Sequence, residues 1–123
     1  MPTLLTLMER LSPVTRCRLY RLAAGAKIDP HTDDNITRFG LARIIVPILS
    51  DNCETTVGDS TVTMQPGTCW YLNDSRVHFI DNRRSTCDRV VALVQTYNLG
   101  LVAQLIDGPE AMCAPLTDSV RRC

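Results

Sequence analysis

An all-β domain of two sheets packed face to face, a jelly roll, is what this sequence predicts, and three observations carry it. From Arg16 to Tyr97, short apolar or β-branched runs alternate with turn residues about every eight to twelve positions. No helical period interrupts them, and the strongest turn signals fall between the runs rather than inside them. The chain of 123 residues is 45% hydrophobic and 21% charged, ordinary globular usage that suits one domain and excludes a disordered chain.

The elements follow in order. Residues 3–11 place Leu4, Leu7, Met8 and Leu11 on one helical face, and Pro13 ends that helix. Strands are expected near 16–22, 28–31, 41–49, 53–57, 60–65, 69–72, 77–81 and 89–97. Gly25 breaks the first pair, Gly58-Asp59 is a two-residue hairpin turn, and Pro66-Gly67 is a further turn. Pro47 lies inside an apolar run, which argues for an edge strand or a bulge. Residues 99–106 form a short helix closed by Gly108-Pro109, and the tail to Cys123 has no period and is expected to pack loosely. The whole chain, 1–123, is then one domain: a helix over 3–11, a β core over about 16–97, and a helix and tail over 99–123. Eight strands at this length imply a core one layer deep, with any chemical site at the mouth between the sheets.

Charge and cysteine usage narrow the function. Thirteen basic residues balance thirteen acidic ones, so no bulk field draws the chain to nucleic acid or anionic lipid. No run approaches the ~20 apolar residues of a membrane span and no leader opens the chain, so a cytoplasmic domain is expected, with oligomerisation open. The six cysteines form no CxxC pair and no zinc spacing, and Cys17, Cys53 and Cys69 lie in apolar runs, which favours reduced thiols over a disulfide framework. Twelve of the thirteen basic residues are arginine, the side chain whose rigid fork grips carboxylates.

The chemistry centres on two histidines. In His31-Thr32-Asp33 an imidazole and a carboxylate stand two apart, and along a strand such residues share a face. His78 opens a later strand after the turn-like Asn73-Asp74-Ser75-Arg76. Two imidazoles and one carboxylate leave three positions of an octahedral ion open, the facial triad of non-haem iron(II) oxygenases. Arg89 heads the most apolar strand, and alternation puts Arg89, Val91 and Leu93 on one face. If that face is inward the guanidinium needs an anion: either a local aspartate such as Asp81 or the far carboxylate of a bound dicarboxylic acid. Arg43, heading Arg43-Ile44-Ile45-Val46-Pro47-Ile48, raises the same question, with an exposed edge position as the alternative.

These residues, in this order, resemble the aspartyl/asparaginyl β-hydroxylase-like branch of the iron(II)- and 2-oxoglutarate-dependent oxygenases. The resemblance runs from about Leu22 to Tyr97. Arg21 through Asp33 looks like the segment with the first two ligands, and Arg43 heads a strand like the one whose arginine helps hold cosubstrate in relatives. Gln65-Pro66-Gly67, Trp70 through Ser75, His78, Asn82 and Arg89 are similar to the later landmarks. Ile45 stands where relatives often carry a histidine. The resemblance implies a double-stranded β-helix, cupin-like, with short terminal helices, and iron(II) on His31, Asp33 and His78. It further implies 2-oxoglutarate held by Arg89 and Arg43, dioxygen as oxidant, and hydroxylation of an unactivated C–H bond with release of succinate and carbon dioxide. Asp33 favours hydroxylation, because related halogenases replace that carboxylate by a small residue. An amino acid or related small molecule is the expected substrate, with Trp70, Tyr71, Arg76 and Arg38 as candidates at the entrance. Two alternatives remain open: a cupin-like metalloenzyme that works without 2-oxoglutarate (an isomerase or simple dioxygenase), and a non-catalytic small-molecule binding jelly roll.

Overall fold

The computed structural model describes residues 4–107 and 120–123, so the Gly108-Pro109 turn, most of the tail and Cys113 lie outside the described residues. In chain order the elements are α1 (Leu4–Arg10), β1 (Val14–Leu22), β2 (Lys27–His31), α2 (Asn35–Phe39), β3 (Ala42–Leu49) and β4 (Glu54–Val57). Then come β5 (Ser60–Thr63), β6 (Trp70–Leu72), β7 (His78–Asp81), β8 (Arg89–Thr96), α3 (Leu99–Asp107) and β9 (Val120–Arg122). Two antiparallel sheets, ordered β1-β8-β3-β6-β9 and β2-β7-β4-β5, make the all-β jelly roll.

The turns do what their residues dictate. Gly58 takes a left-handed φ of 57° in the hairpin that pairs Val57 with Ser60, a backbone region that L side chains avoid. Pro47 does not mark an edge: β3 lies between β8 and β6, and its register slips between Pro47 and Leu49. The bulge spares the ladder the hydrogen bond that a proline cannot donate.

Alternation along the central strands builds two apolar layers, not the one expected from length. Ala42, Ile44 and Val46 of β3, with Ala92 and Val94 of β8 and Tyr71 of β6, face outward under Leu7 and Leu11 at the N-terminal end and Val102 of α3. Ile45, Leu72 and Val91 face the other way, toward Val57 and Met64 between the sheets. The helices therefore roof the larger sheet, and Thr96 ties one of them down by donating its hydroxyl to the Leu11 and Pro13 carbonyls. Two further elements lie outside the sequence expectation. One is α2, and the other is β9, which pairs with β6 where a loose tail was expected.

Asn82 closes the turn ahead of β8. It is fully buried, and its amide donates to the carbonyls of Leu22, Ala23 and Cys87. Gly25 donates its backbone N–H to the Asn82 carbonyl, and the Asn82 N–H donates to Ala26. Asn82→Ala is expected to cost about 2–3 kcal/mol, because the three carbonyls that hold this turn lose one shared donor together. A fall in the urea midpoint at unchanged slope would show it.

Cys17, Cys53, Cys69, Cys87 and Cys123 are all free thiols. Thiol titration of unfolded protein prepared without reductant is expected to find most of the six cysteines free, and three bridges by mass would contradict this.

Candidate metal centre

His31 ends β2 and His78 begins β7, and the two are cross-strand partners. The β2 register breaks between Ile28 and His31, across Pro30, which cannot donate to the ladder. That slip sets the two imidazoles side by side, with ring centroids 4.3 Å apart and planes 58° apart. Asp33 is held next to them because its backbone N–H donates to the Asp74 carbonyl at 2.8 Å. Its Oδ2 lies 3.4 Å from His78 Nε2 and 3.7 Å from His31 Nε2. One ligand atom from each of the three residues falls within 4.8 Å of the others, so they converge on one point.

Both imidazoles are fixed in tautomer by the backbone. His31 Nδ1 lies 2.8 Å from the Asp29 carbonyl, and His78 Nδ1 lies 2.9 Å from the Arg76 carbonyl. A carbonyl only accepts, so each Nδ1 carries a proton and donates it. In the neutral ring that leaves Nε2 with a lone pair, aimed at the Asp33 oxygen. Metal-binding histidines are oriented by this same arrangement. His78 is buried and its Nε2 has no hydrogen-bond partner, an orphaned acceptor that a bound cation would satisfy. The donor set of two imidazole nitrogens and one carboxylate fits a divalent transition ion.

Arg43 stands behind Asp33. Its Nη1 donates to Asp33 Oδ2 at 3.3 Å, and its Nη2 lies 3.5 Å from Asp74 Oδ2, which also accepts from Asn35 at 2.7 Å. Arg43 is thus no exposed edge residue: it braces the carboxylate of the triad while lining the cavity between the sheets. Asp74, only 1% exposed, is the partner that sequence reasoning took merely for part of a turn.

Arg89, first residue of β8, is 5% exposed and its Nη2 is buried without a partner. Burial pulls its pKa below the usual arginine range, a shift that only an ionised Cys53 would oppose. Asp81, the local partner weighed from sequence, is engaged instead by Arg83 through two hydrogen bonds of 2.9 Å. No carboxylate among the described residues lies within ion-pair distance of Arg89. The guanidinium opens into a cavity of about 200 Å³ shared with His31, His78 and Arg43 and walled by Tyr20, Ile28, Ile45, Leu72, Ile80, Val91 and Leu93.

The remaining candidates lie elsewhere. Tyr71 is fully buried under the helices and is no entrance residue. Trp70 is half-buried against the inner core and donates its indole N–H to Thr68 at 2.7 Å, outside the cavity lining. Arg38, on α2, pairs with Asp34 and lies over the Phe39 ring. Arg76 is exposed in the turn before His78 and contributes its carbonyl to the site. Tyr20, Ile28 and Ile80 were not singled out from sequence. For Tyr20 the alternation of β1, which puts it on the face of Leu22 opposite Arg89, was the available signal, whereas Ile28 and His31 are three apart and share the cavity only across the register break of β2.

A family model described as aspartyl/asparaginyl β-hydroxylase matches residues 1–98, which hold the triad and both arginines. The chain belongs to this hydroxylase family. The family region spans all eight strands from β1 to β8 and leaves out α3 and β9. The fold of this hydroxylase-family domain is similar to the crystal structure of TT1209 from Thermus thermophilus. That likeness has a TM-score of 0.50 and 18% identity over 63% of this chain and 68% of that one. No curated protein matches the chain significantly. Among the described residues no helix is long and apolar enough to cross a membrane.

Proposed function

We propose that this hydroxylase-family domain is an iron(II)- and 2-oxoglutarate-dependent oxygenase that hydroxylates an unactivated C–H bond of an amino acid or related small molecule. The observation that carries the reading is the pairing, in one cavity, of a convergent His31–Asp33–His78 donor set with a buried arginine that has no anionic partner among the described residues. Iron(II) would be held by His31, Asp33 and His78, and 2-oxoglutarate by Arg89. Together with dioxygen they supply the oxidising power for hydroxylation, while 2-oxoglutarate leaves as succinate and carbon dioxide.

The chain's own residues do the rest. The Asp29 and Arg76 carbonyls hold both Nε2 atoms toward the metal position, so each neutral imidazole can bind without a change of tautomer. Arg43 fixes the Asp33 carboxylate and, by its charge, offsets the two buried or half-buried aspartates around it. Arg89 presents a planar fork to a carboxylate, a bidentate match that a lysine lacks. Ile45, Leu72, Val91 and Leu93 give the cavity an apolar wall beside the metal position. The cavity volume supports a small substrate, and Arg38 and Arg76, on the segments next to Asp33 and His78, are proposed contacts for its polar groups.

The test is anaerobic titration with iron(II) and 2-oxoglutarate. The weak visible charge-transfer band of the chelate is expected, followed on aeration by succinate formation that requires both. Substrate turnover without 2-oxoglutarate would overturn the reading in favour of a cupin-like metalloenzyme. Ligand binding with no metal requirement would overturn it in favour of a binding module. Cobalt, nickel or zinc suits the same donors and is expected to inhibit.

A further inference from the structure

On the far side of the larger sheet from the triad, two thiols meet. We propose that Cys69 and Cys123 are a reversible oxidation site, closing to a disulfide that fastens β9 to β6 in the folded protein. The register Trp70↔Arg122, taken one step further, sets Cys69 opposite Cys123, and the Cys123 N–H donates to the Cys69 carbonyl at 2.8 Å. Directly opposed residues of such a pair have Cα atoms about 5.5 Å apart, inside the ~4.4–6.8 Å that a disulfide spans. The two thiols are near enough to shift each other's proton affinity.

Reach and reactivity agree with the geometry. Both cysteines are half-buried and line a cavity of about 330 Å³, where Arg10 and Arg122 stand beside the apolar Leu4, Leu7 and Leu105. Their mutual influence divides the roles: it lowers the proton affinity of Cys69 and raises that of Cys123. Cys69 is then the thiolate that reacts first. With a peroxide as oxidant, the Cys69 sulfur attacks the O–O bond, becomes a sulfenic acid and releases hydroxide. The Cys123 sulfur next attacks the sulfenic sulfur, forming the S–S bond and expelling a second hydroxide. The two thiol protons turn both hydroxides into water, so two thiols are oxidised by two electrons and one peroxide is reduced. A dithiol reductant reverses the bond by exchange.

The experiment treats folded protein with hydrogen peroxide and then maps the peptides under non-reducing conditions. The expected result is loss of the mass of two hydrogens, one cross-linked peptide joining Cys69 to Cys123, a raised Tm, and full reversal by dithiothreitol. Cys69→Ser should lose both the cross-link and the Tm rise. Cys123→Ser should instead leave a sulfenic acid on Cys69 that dimedone traps. Linkage of either residue to Cys113, Cys17 or Cys87 would overturn the proposal. So would oxidation of both sulfurs separately, or a pair that stays reduced under peroxide that oxidises a free thiol control. The peptide map of the unsubstituted protein decides the matter even if a serine variant fails to fold.

Discussion

Alanine in place of His31, Asp33 or His78 is expected to abolish iron-dependent turnover while the sandwich stays folded. The loss in iron affinity should exceed the ~10–100-fold that follows when only an outer hydrogen bond to a metal ligand is removed. The three positions separate in their structural cost. His31 and Asp33 keep 41% and 35% of their side-chain surface in solvent, so truncating them removes little packing. His78 is buried between β2 and β4, and its truncation should cost about 1–3 kcal/mol on top of the lost activity. Anaerobic iron titration, succinate formation and thermal melts on the three variants read these effects separately. Full iron-dependent activity in His78→Ala would remove the metal assignment.

Arg89→Ala is expected to weaken 2-oxoglutarate binding by about 2–5 kcal/mol, the cost of truncating one partner of a buried charge pair. That is roughly thirtyfold to several thousandfold in the dissociation constant. Arg89→Lys should fall between, since the charge remains and the fork is lost. Iron affinity should hardly move. An arginine kept for stability predicts the reverse, a lower Tm with an unchanged cosubstrate constant. The structure sharpens this contrast because Asp81 is taken by Arg83, so removing Arg89 orphans no carboxylate among the described residues. Arg89→Met, which keeps volume and removes an unpaired buried charge, is therefore expected to melt no lower than the unsubstituted apoprotein. An unchanged cosubstrate constant in Arg89→Ala would count against the site.

The legible parts of the molecule were those written in period or in turn chemistry. The eight strands from β1 to β8 each coincide with an alternating or apolar run, and Gly58 and Pro66-Gly67 mark turns by residue type alone. The i, i+2 spacing of His31 and Asp33 implies a shared direction only along a strand, and β2 ends at His31, so Asp33 reaches the same point from the segment that follows. Other features depend on distant partners. Five residues of α2 are too few to show a helical period, and Val120–Arg122 becomes a strand only because β6 offers its edge. The helical roof over Tyr71 could not be read from β6, whose alternation says that two faces exist but not what covers either. The bond from Asp33 to the Asp74 carbonyl and the hold of Arg43 on both aspartates join residues far apart in sequence, so no local pattern announces them.

The two imidazoles sit in unequal surroundings. His78 is embedded in an inner strand, whereas all five residues of β2 are exposed and, among the described residues, the strand pairs on one side alone, with β7. A cation that engages His31 therefore acts as a staple across a sheet margin, adding a second fastening to a strand that otherwise hangs on its ladder. Part of the binding energy at the centre is spent on quieting that margin, and removing the ion with a chelator frees the margin first. Amide exchange should then quicken along Lys27–His31 well before it quickens along Arg89–Thr96, so the state of the metal centre can be read from the outermost strand of the smaller sheet.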